Sequence, residues 1–270
     1  MVGTLHKRHR NPLSNPTWDA GLYLRHGKQR TQAAIDLAAR VLLAAPRRIV
    51  DLGCGPGNST EVLRTRWPDS QVTGLDQSEE MLAEARRAFP AAEWLRADIA
   101  TWVAEQPYDL VYSNAALQWV HGHAHLIPHL LEQVAPGGAL AVQLPAHFES
   151  PLHLRMRQIA LDERWRDRMG GAINALVEEP PAYYYDLLSP RCLRLEMWET
   201  EYIQVMDSAG AILEFIQGTG LRPYLDALGN EADRERYMRL LADAVMHDYP
   251  RRRDGKVLFP FRRLFFIAYR

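Results

Sequence analysis

Carboxylates stand at the ends of three apolar runs in the first half of the chain. Asp51 lies near the end of the first run, Asp76 ends the second, and Asp98 ends the third. If these runs are parallel strands, their carboxyl ends share one edge of a sheet, where ligands bind. A carboxylate at the end of the second strand can accept both hydroxyl protons of a ribose. The pattern predicts a nucleoside site, with Asp76 at the ribose and with Asp98 and Ile99 at the base.

A glycine-rich segment joins the first run to the helix that follows. Gly53, Gly55 and Gly57 alternate with other residues, and Asn58 with Glu61 resembles a capping box at the helix start. Glycine permits a tight turn and a close approach of the backbone to a ligand, and the free N–H groups of a helix start can bind a carboxylate. The spacing differs from the G-x-G-x-x-G pattern of dinucleotide-binding proteins, which disfavours an NAD-dependent enzyme.

Short strands and longer helices alternate around these residues, as is typical of a parallel sheet covered by helices. Ser78 predicts a helix start, since its side chain can cap the helix that Glu79 and Glu80 begin. A further helix is predicted at about 29–43. Strands are predicted at 48–52, 71–76, 93–98, 109–114, 139–144, 194–205 and 264–269.

The predicted fold class is α/β, a Rossmann-like sheet with a mainly helical cap inserted after the fifth strand. After Leu144 the regular alternation stops, and a Tyr- and Arg-rich helical stretch follows. The predicted units are a flexible basic arm at 1–17, a ligand-binding core at 18–148, a helical cap at 149–190, and the last two strands with further cap helices at 191–270.

Composition narrows the class of partner. The net charge is −1, from 32 Lys and Arg against 33 Asp and Glu, so no excess of positive charge indicates a nucleic acid. The two cysteines, Cys54 and Cys192, lack metal-ligand spacing, and we expect neither a disulfide framework nor a metal site, despite the histidines between His121 and His129. With no membrane-spanning run or leader, we expect a monomer in the cytoplasm.

The glycine segment together with the three acids resembles the class I S-adenosylmethionine-dependent methyltransferases, over about residues 29–145. The resemblance implies S-adenosylmethionine as cofactor, with Asp76 on its ribose, Asp98 on its adenine, and the loop from Gly53 to Gly57 against its methionyl group. The cofactor-binding residues so implied are Tyr23, Arg30, Asp51, Gly53, Gly55, Gly57, Asn58, Asp76, Gln77, Met81, Asp98, Ile99 and Asn114.

Motifs outside the cofactor site resemble a narrower family, the trans-aconitate 2-methyltransferases, from about Trp18 to the C terminus. The residues that carry this resemblance are Trp18 and the segments Ser113–Trp119, Tyr184–Leu188, Trp198–Tyr202, Thr219–Pro223 and Phe259–Phe265. One departure is Ala146-His147, where the family usually has Asp-Asn. The resemblance implies methylation of one carboxylate of a small tricarboxylate, giving a monomethyl ester and S-adenosylhomocysteine.

The chemistry of such an acceptor sets what the site needs. Carboxyl groups titrate near pH ~4, so the nucleophile is ionised at neutral pH and we predict no catalytic base. Cations must hold the carboxylates that do not react, and Arg222 is the favoured one, with Arg262 and Arg263 weaker because adjacent strand residues face opposite sides. The predicted acceptor-binding residues are Gln118, Trp119, Tyr184, Tyr185, Tyr202 and Arg222.

Three other functions stay open at this point. The first is a methyltransferase acting on another small polycarboxylate or on an acyl thioester acid. The second is a module that binds S-adenosylmethionine without catalysis. The third, an NAD-dependent enzyme, is disfavoured by the glycine spacing. A panel of candidate acids would separate the first two, because only an enzyme would turn one of them over.

Overall fold

A computed structural model describes residues 27–270, with side chains from residue 31 onward. One seven-stranded sheet runs through it in the order β3-β2-β1-β4-β5-β7-β6. Its strands are β1 (Arg48–Leu52), β2 (Gln71–Asp76), β3 (Glu93–Arg96), β4 (Tyr108–Asn114), β5 (Val134–Pro145), β6 (Arg194–Met206) and β7 (Val257–Tyr269). Strands β1 to β5 are parallel, and β7 lies antiparallel between β5 and β6. The predicted α/β fold class is confirmed.

Helices cover the sheet and continue beyond it. They are α1 (Gly27–Arg40), α2 (Asn58–Arg66), α3 (Glu79–Ala88), α4 (His123–Glu132), α5 (Pro151–Ala160), α6 (Arg166–Ile173), α7 (Pro181–Leu188), α8 (Ala209–Gln217), α9 (Arg222–Ala227) and α10 (Glu231–Asp248). The predicted cap of α3 forms, since the Ser78 hydroxyl accepts the N–H of Met81 at 3.3 Å. The chain between β4 and α4 forms a short 3-10 helix at Leu117–Trp119.

Each face of the sheet has its own hydrophobic core. Helices α1 and α2 pack on one face, which we call the α1 face, with Leu37 and Leu63 against Ile49, Phe265 and other buried side chains. Helices α4 and α7 pack on the opposite face around Leu126 and Leu188. Apolar burial on both faces explains why the central strands read as continuous hydrophobic runs.

A third hydrophobic core lies beyond the carboxyl ends of the parallel strands. It joins α5, α6, α8, α9 and α10, which together we call the cap, to the adjoining ends of β6 and β7. Trp165, Tyr237 and Phe259 are among its fully buried side chains. The predicted extent of the cap, 149–190, differs at its end, because α7 packs on the sheet through Tyr184 and Leu188.

Several predicted boundaries shift. Strand β5 begins at Val134 instead of 139, because its first residues pair with β4 before the left-handed turn at Gly137 (φ 81°). Strand β7 begins at Val257, seven residues earlier than predicted, where its apolar side chains enter the cap. The basic arm at 1–17 lies outside the described residues. None of the helices within 27–270 combines the length and apolarity needed to cross a membrane.

Candidate functional site

The glycine loop turns between β1 and α2 at the carboxyl edge, by which we mean the ends of β1, β2, β4 and β5. The N–H groups of Gly53 and Cys54 donate to the Leu75 carbonyl oxygen on β2, at 2.7 and 3.0 Å. Gly53, Gly55 and Gly57 all have left-handed backbones, with φ of 69°, 55° and 95°. Residues with a Cβ rarely adopt this conformation, so the loop needs glycine at all three positions.

The three glycines differ in what a side chain would meet. A Cβ at Gly53 would lie 2.2 Å from the Ala116 Cβ, and one at Gly57 would lie 2.8 Å from the Phe89 and Trp94 rings. No described atom lies within 4 Å of a Cβ placed at Gly55. Packing within the protein therefore accounts for Gly53 and Gly57, whereas Gly55 has open surroundings and stands between Cys54 and Pro56, two residues that line a cleft at the carboxyl edge.

Asp76 lies at the end of β2, against this loop. One oxygen accepts the Gly55 N–H at 2.9 Å, and the other accepts the Ser78 N–H at 2.8 Å. Burial raises the pKa of the Asp76 carboxyl, although these N–H groups act in the opposite direction. The carboxylate is thus fixed at the carboxyl edge and retains lone pairs that can accept ribose hydroxyls.

Asp51 is not at the surface of the cleft. It is fully buried, and Oδ2 accepts the hydroxyls of Ser59 and Thr60 at 2.6 and 2.7 Å. Burial raises the pKa of Asp51 to about 6. Its Oδ2 thus fastens the first turn of α2 to β1, and the predicted contact between Asp51 and the cofactor stays a prediction.

The residues predicted around the adenine have different environments. Asp98 is exposed, and Oδ1 accepts the Ala100 N–H at 2.9 Å. Ile99 is buried, with Cδ1 3.5 Å from the position of a Cβ on Gly53. Gln77 is exposed, whereas Met81 is buried in the first turn of α3. Ile99 thus lies beside the loop, and exposed groups of Asp98 and Gln77 follow the ends of β3 and β2.

The start of α2 departs from the predicted capping box. Gly57 is the cap residue and provides no side-chain hydrogen bond, while Asn58 is the first helical residue. Glu61 pairs with Arg64 at 3.2 Å instead of reaching back. Asn58 nevertheless borders the cleft, whose walls are Thr31, Ala34, Gly53, Cys54, Pro56, Asn58, Ser59 and Asn114.

The end of β4 holds a strained residue and two polar side chains. Ala115 has a left-handed backbone (φ 54°), which costs an alanine about 1 kcal/mol. Asn114 precedes it on the cleft wall. The Gln118 amide donates to the Ala115 carbonyl at 2.7 Å, and Trp119 follows, half-buried. Strain of this kind concentrates at functional sites, and here it lies beside the loop that carries Gly53.

Polar atoms without partners concentrate near this edge. Within the described part of the chain, the buried atoms that lack a hydrogen-bond partner include Asp51 Oδ1, Asn114 Oδ1, Gln118 Oε1, Gln143 Nε2 and His147 Nδ1. A buried polar atom without a partner costs about 1–3 kcal/mol, so such a group of donors and acceptors is suited to a polar ligand.

The three tyrosines predicted to bind the acceptor have different surroundings. Tyr184 is 1% exposed in the sheet core, with its hydroxyl 2.7 Å from Nδ1 of His123. Tyr185 is 55% exposed on α7, whose Tyr184 and Leu188 pack in the sheet core. Tyr202 donates to Asp36 at 2.5 Å. The hydroxyls of Tyr184 and Tyr202 thus have partners within the protein, and the role of the three tyrosines in binding the acceptor stays a prediction.

Arg222 begins α9 in the cap. Its side chain is 15% exposed, and Nε lies 3.4 Å from Oδ2 of Asp226. A Cβ on the nearby Gly220 would lie 3.9 Å from Leu176 Cδ1, and the N–H of Val177 donates to the Gln118 carbonyl at 2.8 Å. The segment at 176–177 thus connects the start of α9 to the end of β4. The role of Arg222 as an anchor stays a prediction.

The arginines of the last strand separate as strand geometry predicts. Arg262 is about half exposed, and Nε donates to the Ala146 carbonyl at 2.7 Å. Arg263 is 5% exposed and donates to Gln143 Oε1 at 2.9 Å. Gln143 is missed by the sequence patterns, and its signal is a polar residue inside an otherwise apolar β5.

A wider cleft of about 440 Å³ lies between α5, the end of α10 and β7. Arg252 and Arg262 line it together with three acids, Glu149, Glu201 and Asp248. His147, the departure from the family pattern, lies in its wall, and burial lowers its pKa well below the usual range. This balance of charge does not suit an acceptor with three negative charges.

The histidines near α4 have structural contacts. His123 is buried, with Nε2 2.9 Å from the Leu117 carbonyl oxygen, and His129 Nε2 lies 2.8 Å from the Trp102 carbonyl oxygen. Among the described residues, no three His, Cys, Asp or Glu side chains are grouped to hold a metal ion. Tyr23 lies outside the described residues, and so does the Arg30 side chain.

Comparison with known proteins places this site in a family. Residues 49–138 match the family model of a methyltransferase domain. The protein named trans-aconitate 2-methyltransferase from Azoarcus sp. (strain BH72) is 48% identical over 255 residues, 94% of this chain and 100% of that protein. The protein of the same name from Rhodopseudomonas palustris (strain BisA53) is 45% identical over 252 residues, 93% of this chain and 98% of that protein.

A solved structure supports the fold independently. The YcgJ protein from Bacillus subtilis is similar with a TM-score of 0.56 at 13% identity, covering 88% of this chain and 98% of that chain. That likeness concerns the fold alone, whereas the near-complete coverage by the sequence relatives includes the cap and the last strands. The resemblance drawn from the sequence motifs is confirmed, and the chain belongs to the trans-aconitate 2-methyltransferase family.

Proposed function

We propose that this chain transfers a methyl group from S-adenosylmethionine to one carboxylate of trans-aconitate, giving the monomethyl ester and S-adenosylhomocysteine. The observation that carries this proposal is the 48% identity, over the whole length of the relative, to a protein named for that reaction. The cap is included in this similarity, and we assign acceptor specificity to the cap because the sheet itself is a fold shared by many enzymes.

The residues of the carboxyl edge fit the cofactor. Asp76 is bonded to the loop and has lone pairs for the ribose, Ile99 lies beside Gly53 with Asp98 preceding it for the adenine, and Gly55 stands between two residues that line the cleft. Asn114 has a buried oxygen without a partner among the described residues, which suits the ammonium group of the methionyl moiety. When bound, S-adenosylmethionine supplies an activated methyl group on a positively charged sulfur.

Positioning and exclusion of water are the contributions that we assign to the protein. The acceptor carboxylate is ionised at neutral pH and needs no base, so no side chain has a proton-transfer role. A carboxylate and a sulfonium lose charge as they react, and this is favoured where water is excluded. Side chains of the cap, which has a core of its own beyond the carboxyl edge, provide that exclusion, and in-line orientation provides the rest.

Arg222 remains our proposed anchor in the cap for a carboxylate that does not react. Its guanidinium can bind a carboxylate through two parallel N–H bonds, and the chain at 176–177 connects it with Gln118 and Trp119 at the end of β4. In keeping with a net charge of −1, we propose a small tricarboxylate as the partner, with no nucleic acid, and a cytoplasmic monomer.

The test is the transfer of labelled methyl from S-adenosylmethionine to a panel of di- and tricarboxylic acids by the full-length protein. We expect trans-aconitate to have the highest kcat/KM, and the product to be base-labile as an ester. Saturable binding of S-adenosylmethionine without methylation of any acid would refute the proposed function and favour a non-catalytic binding module. A higher kcat/KM with another acid would reassign the acceptor.

A further inference from the structure

A buried histidine lies against the turn between α8 and α9. His153 is in the first turn of α5 and is 6% exposed. Its ring packs edge-on against those of His147 and Phe148, with centroids 4.6 and 5.1 Å apart. Nε2 lies 3.5 Å from the position of a Cβ on Gly220 and has no hydrogen-bond partner within the described part of the chain. His153 thus keeps one ring nitrogen for a group that the described residues do not supply.

Two hydroxyls behind the ring determine which nitrogen carries the proton. Burial, with the charge of Arg157 nearby, lowers the pKa of His153 to about 3, so the ring is neutral at pH 7. Ser150 Oγ lies 3.2 Å from Nδ1 and also bonds the Tyr249 hydroxyl, which accepts the Leu152 N–H at 3.2 Å. When Tyr249 donates to Ser150 and Ser150 donates to Nδ1, every proton has an acceptor. The opposite direction leaves the Tyr249 proton without an acceptor among the described residues, so we assign the ring proton to Nε2.

This donor lies between the cap and the end of β4. A Cβ on Gly220 would also lie 3.9 Å from Cδ1 of Leu176. The next residue, Val177, donates its N–H to the carbonyl oxygen of Gln118 at 2.8 Å. Gln118 is in the 3-10 helix that follows Asn114, a residue of the cofactor cleft. A short series of contacts therefore connects the Nε2–H with the part of the carboxyl edge where the cofactor cleft is.

We propose that the Nε2–H of His153 donates a hydrogen bond to a carboxylate of the acceptor that does not become methylated; this assignment rests on the proposed function. A buried N–H without a partner lowers stability, which a bound acceptor oxygen would relieve. A carboxylate oxygen only accepts, so it matches a lone donor. The same bond to the reacting carboxylate would lower its nucleophilicity, and we therefore place it on another. A neutral ring adds this bond without a further buried positive charge near Arg222, which begins α9 two residues after Gly220.

The first test compares His153→Asn with His153→Gln. An asparagine amide can still bond Ser150 but does not extend to the position of Nε2, whereas a glutamine amide nitrogen can take that position. We expect His153→Asn to raise KM for trans-aconitate about tenfold, through loss of a hydrogen bond to a charged group. The Kd for S-adenosylmethionine should be unchanged, and His153→Gln should restore most of the wild-type KM. The control His125→Asn, at an exposed position, should have the wild-type KM.

Gly220→Ala covers the donor without changing the histidine, and so tests the proposal even if His153→Asn fails to fold. The Gly220 backbone is not left-handed, and the added Cβ would be in ordinary contact with Nε2 at 3.5 Å. We expect the same rise in KM for trans-aconitate as in His153→Asn, with the melting temperature of wild type. Gly210→Ala is the matched control on α8, because its Cβ would make a contact of the same length, with Ser208 Oγ, at an exposed position. Its KM should be that of wild type.

Dicarboxylic analogues of trans-aconitate, each lacking a different carboxylate, separate acceptor binding from a structural role. On the analogue that lacks the bonded carboxylate, His153→Asn, Gly220→Ala and wild type should have equal kcat/KM. An equal loss on every acceptor, a wild-type KM for trans-aconitate in both folded variants, or no recovery in His153→Gln would overturn the assignment. Failure of the proposed function is a separate result, because it is read from the wild-type protein alone, as binding of S-adenosylmethionine without methylation of any acid.

Discussion

The glycine loop can be tested by adding one methyl group at the position that opens onto the cleft. Gly55→Ala places a Cβ where no described atom lies within 4 Å, so the substitution has no packing cost within the protein. The backbone at φ 55° costs an alanine about 1 kcal/mol. The melting temperature should therefore fall by only about 2 °C, given the size of the chain.

Cofactor binding should be affected far more than stability. If S-adenosylmethionine lies against the loop, the added methyl group occupies space that the ligand needs, and the Gly55 N–H that bonds Asp76 must shift with it. We expect the Kd to rise about tenfold or more, equivalent to at least ~1.4 kcal/mol. Isothermal titration with S-adenosylmethionine and thermal unfolding of the free protein measure these two quantities on one preparation.

Two matched variants complete this test. Gly122→Ala has a comparable backbone cost (φ 80°) and equally open surroundings, but it lies before α4, so its cofactor Kd should equal that of wild type. Gly53→Ala would force a contact of 2.2 Å with Ala116 and should destabilise the fold by about 3 kcal/mol. The same Kd for Gly55→Ala and Gly122→Ala would refute the placement of the cofactor against this loop.

Three further substitutions address the acids and the cap. Asp76→Asn should raise the Kd for S-adenosylmethionine about tenfold to a hundredfold through loss of charged hydrogen bonds, with exposed Asp69→Asn as control; an unchanged Kd would contradict the ribose role. Asp51→Asn concerns pH: because the folded pKa of about 6 exceeds the ordinary 3.8, this carboxyl makes wild type lose stability as pH rises from about 4 to 6. The difference in unfolding free energy, wild type minus variant, should fall by about 1 kcal/mol from pH 5 to pH 7 in urea titrations, and a constant difference would exclude this account. Arg222→Ala should lower kcat/KM for trans-aconitate about thirtyfold and leave the Kd for S-adenosylmethionine unchanged. The control Arg166→Ala, at an exposed position, should keep the wild-type kcat/KM. Wild-type kinetics in Arg222→Ala would show that Arg222 does not bind the acceptor.

Local patterns predicted most of the fold and the cofactor edge. The strand boundaries of β1 and β2 and the capping role of Ser78 follow from apolar runs and first-turn chemistry, which act over a few residues. Asp76 was found because a carboxylate that ends the second strand must lie beside the loop that ends the first. Residues that the sequence places at the ends of successive strands therefore also lie close together in space at this edge.

Roles that depend on packing between distant segments could not be predicted. Tyr184 and Tyr202 fit an acceptor site by residue type, but whether a helix lies on the sheet or in the cap depends on the partners that it meets. Asp51 ends inside the protein because Ser59 and Thr60, in the first turn of α2, donate hydrogen bonds to it. The contacts of Arg263 could not be predicted for a related reason, since alternation indicates that one of Arg262 and Arg263 faces inward but not what it meets there.

Strand β7 limits how the cap can move and where the chain can be divided when relatives are recombined. Its first half supplies Phe259 and Phe261 to the cap core, and its second half supplies Phe265 and Phe266 to the two cores of the sheet. Because one continuous strand belongs to both the cap and the sheet, the cap cannot rotate relative to the sheet as an independent lid unless β7 bends. Chimaeras that exchange acceptor specificity between relatives should therefore carry residues 257–270 with the cap. A junction inside this strand would join the half that packs in the cap core of one relative to the half that packs in the sheet cores of another.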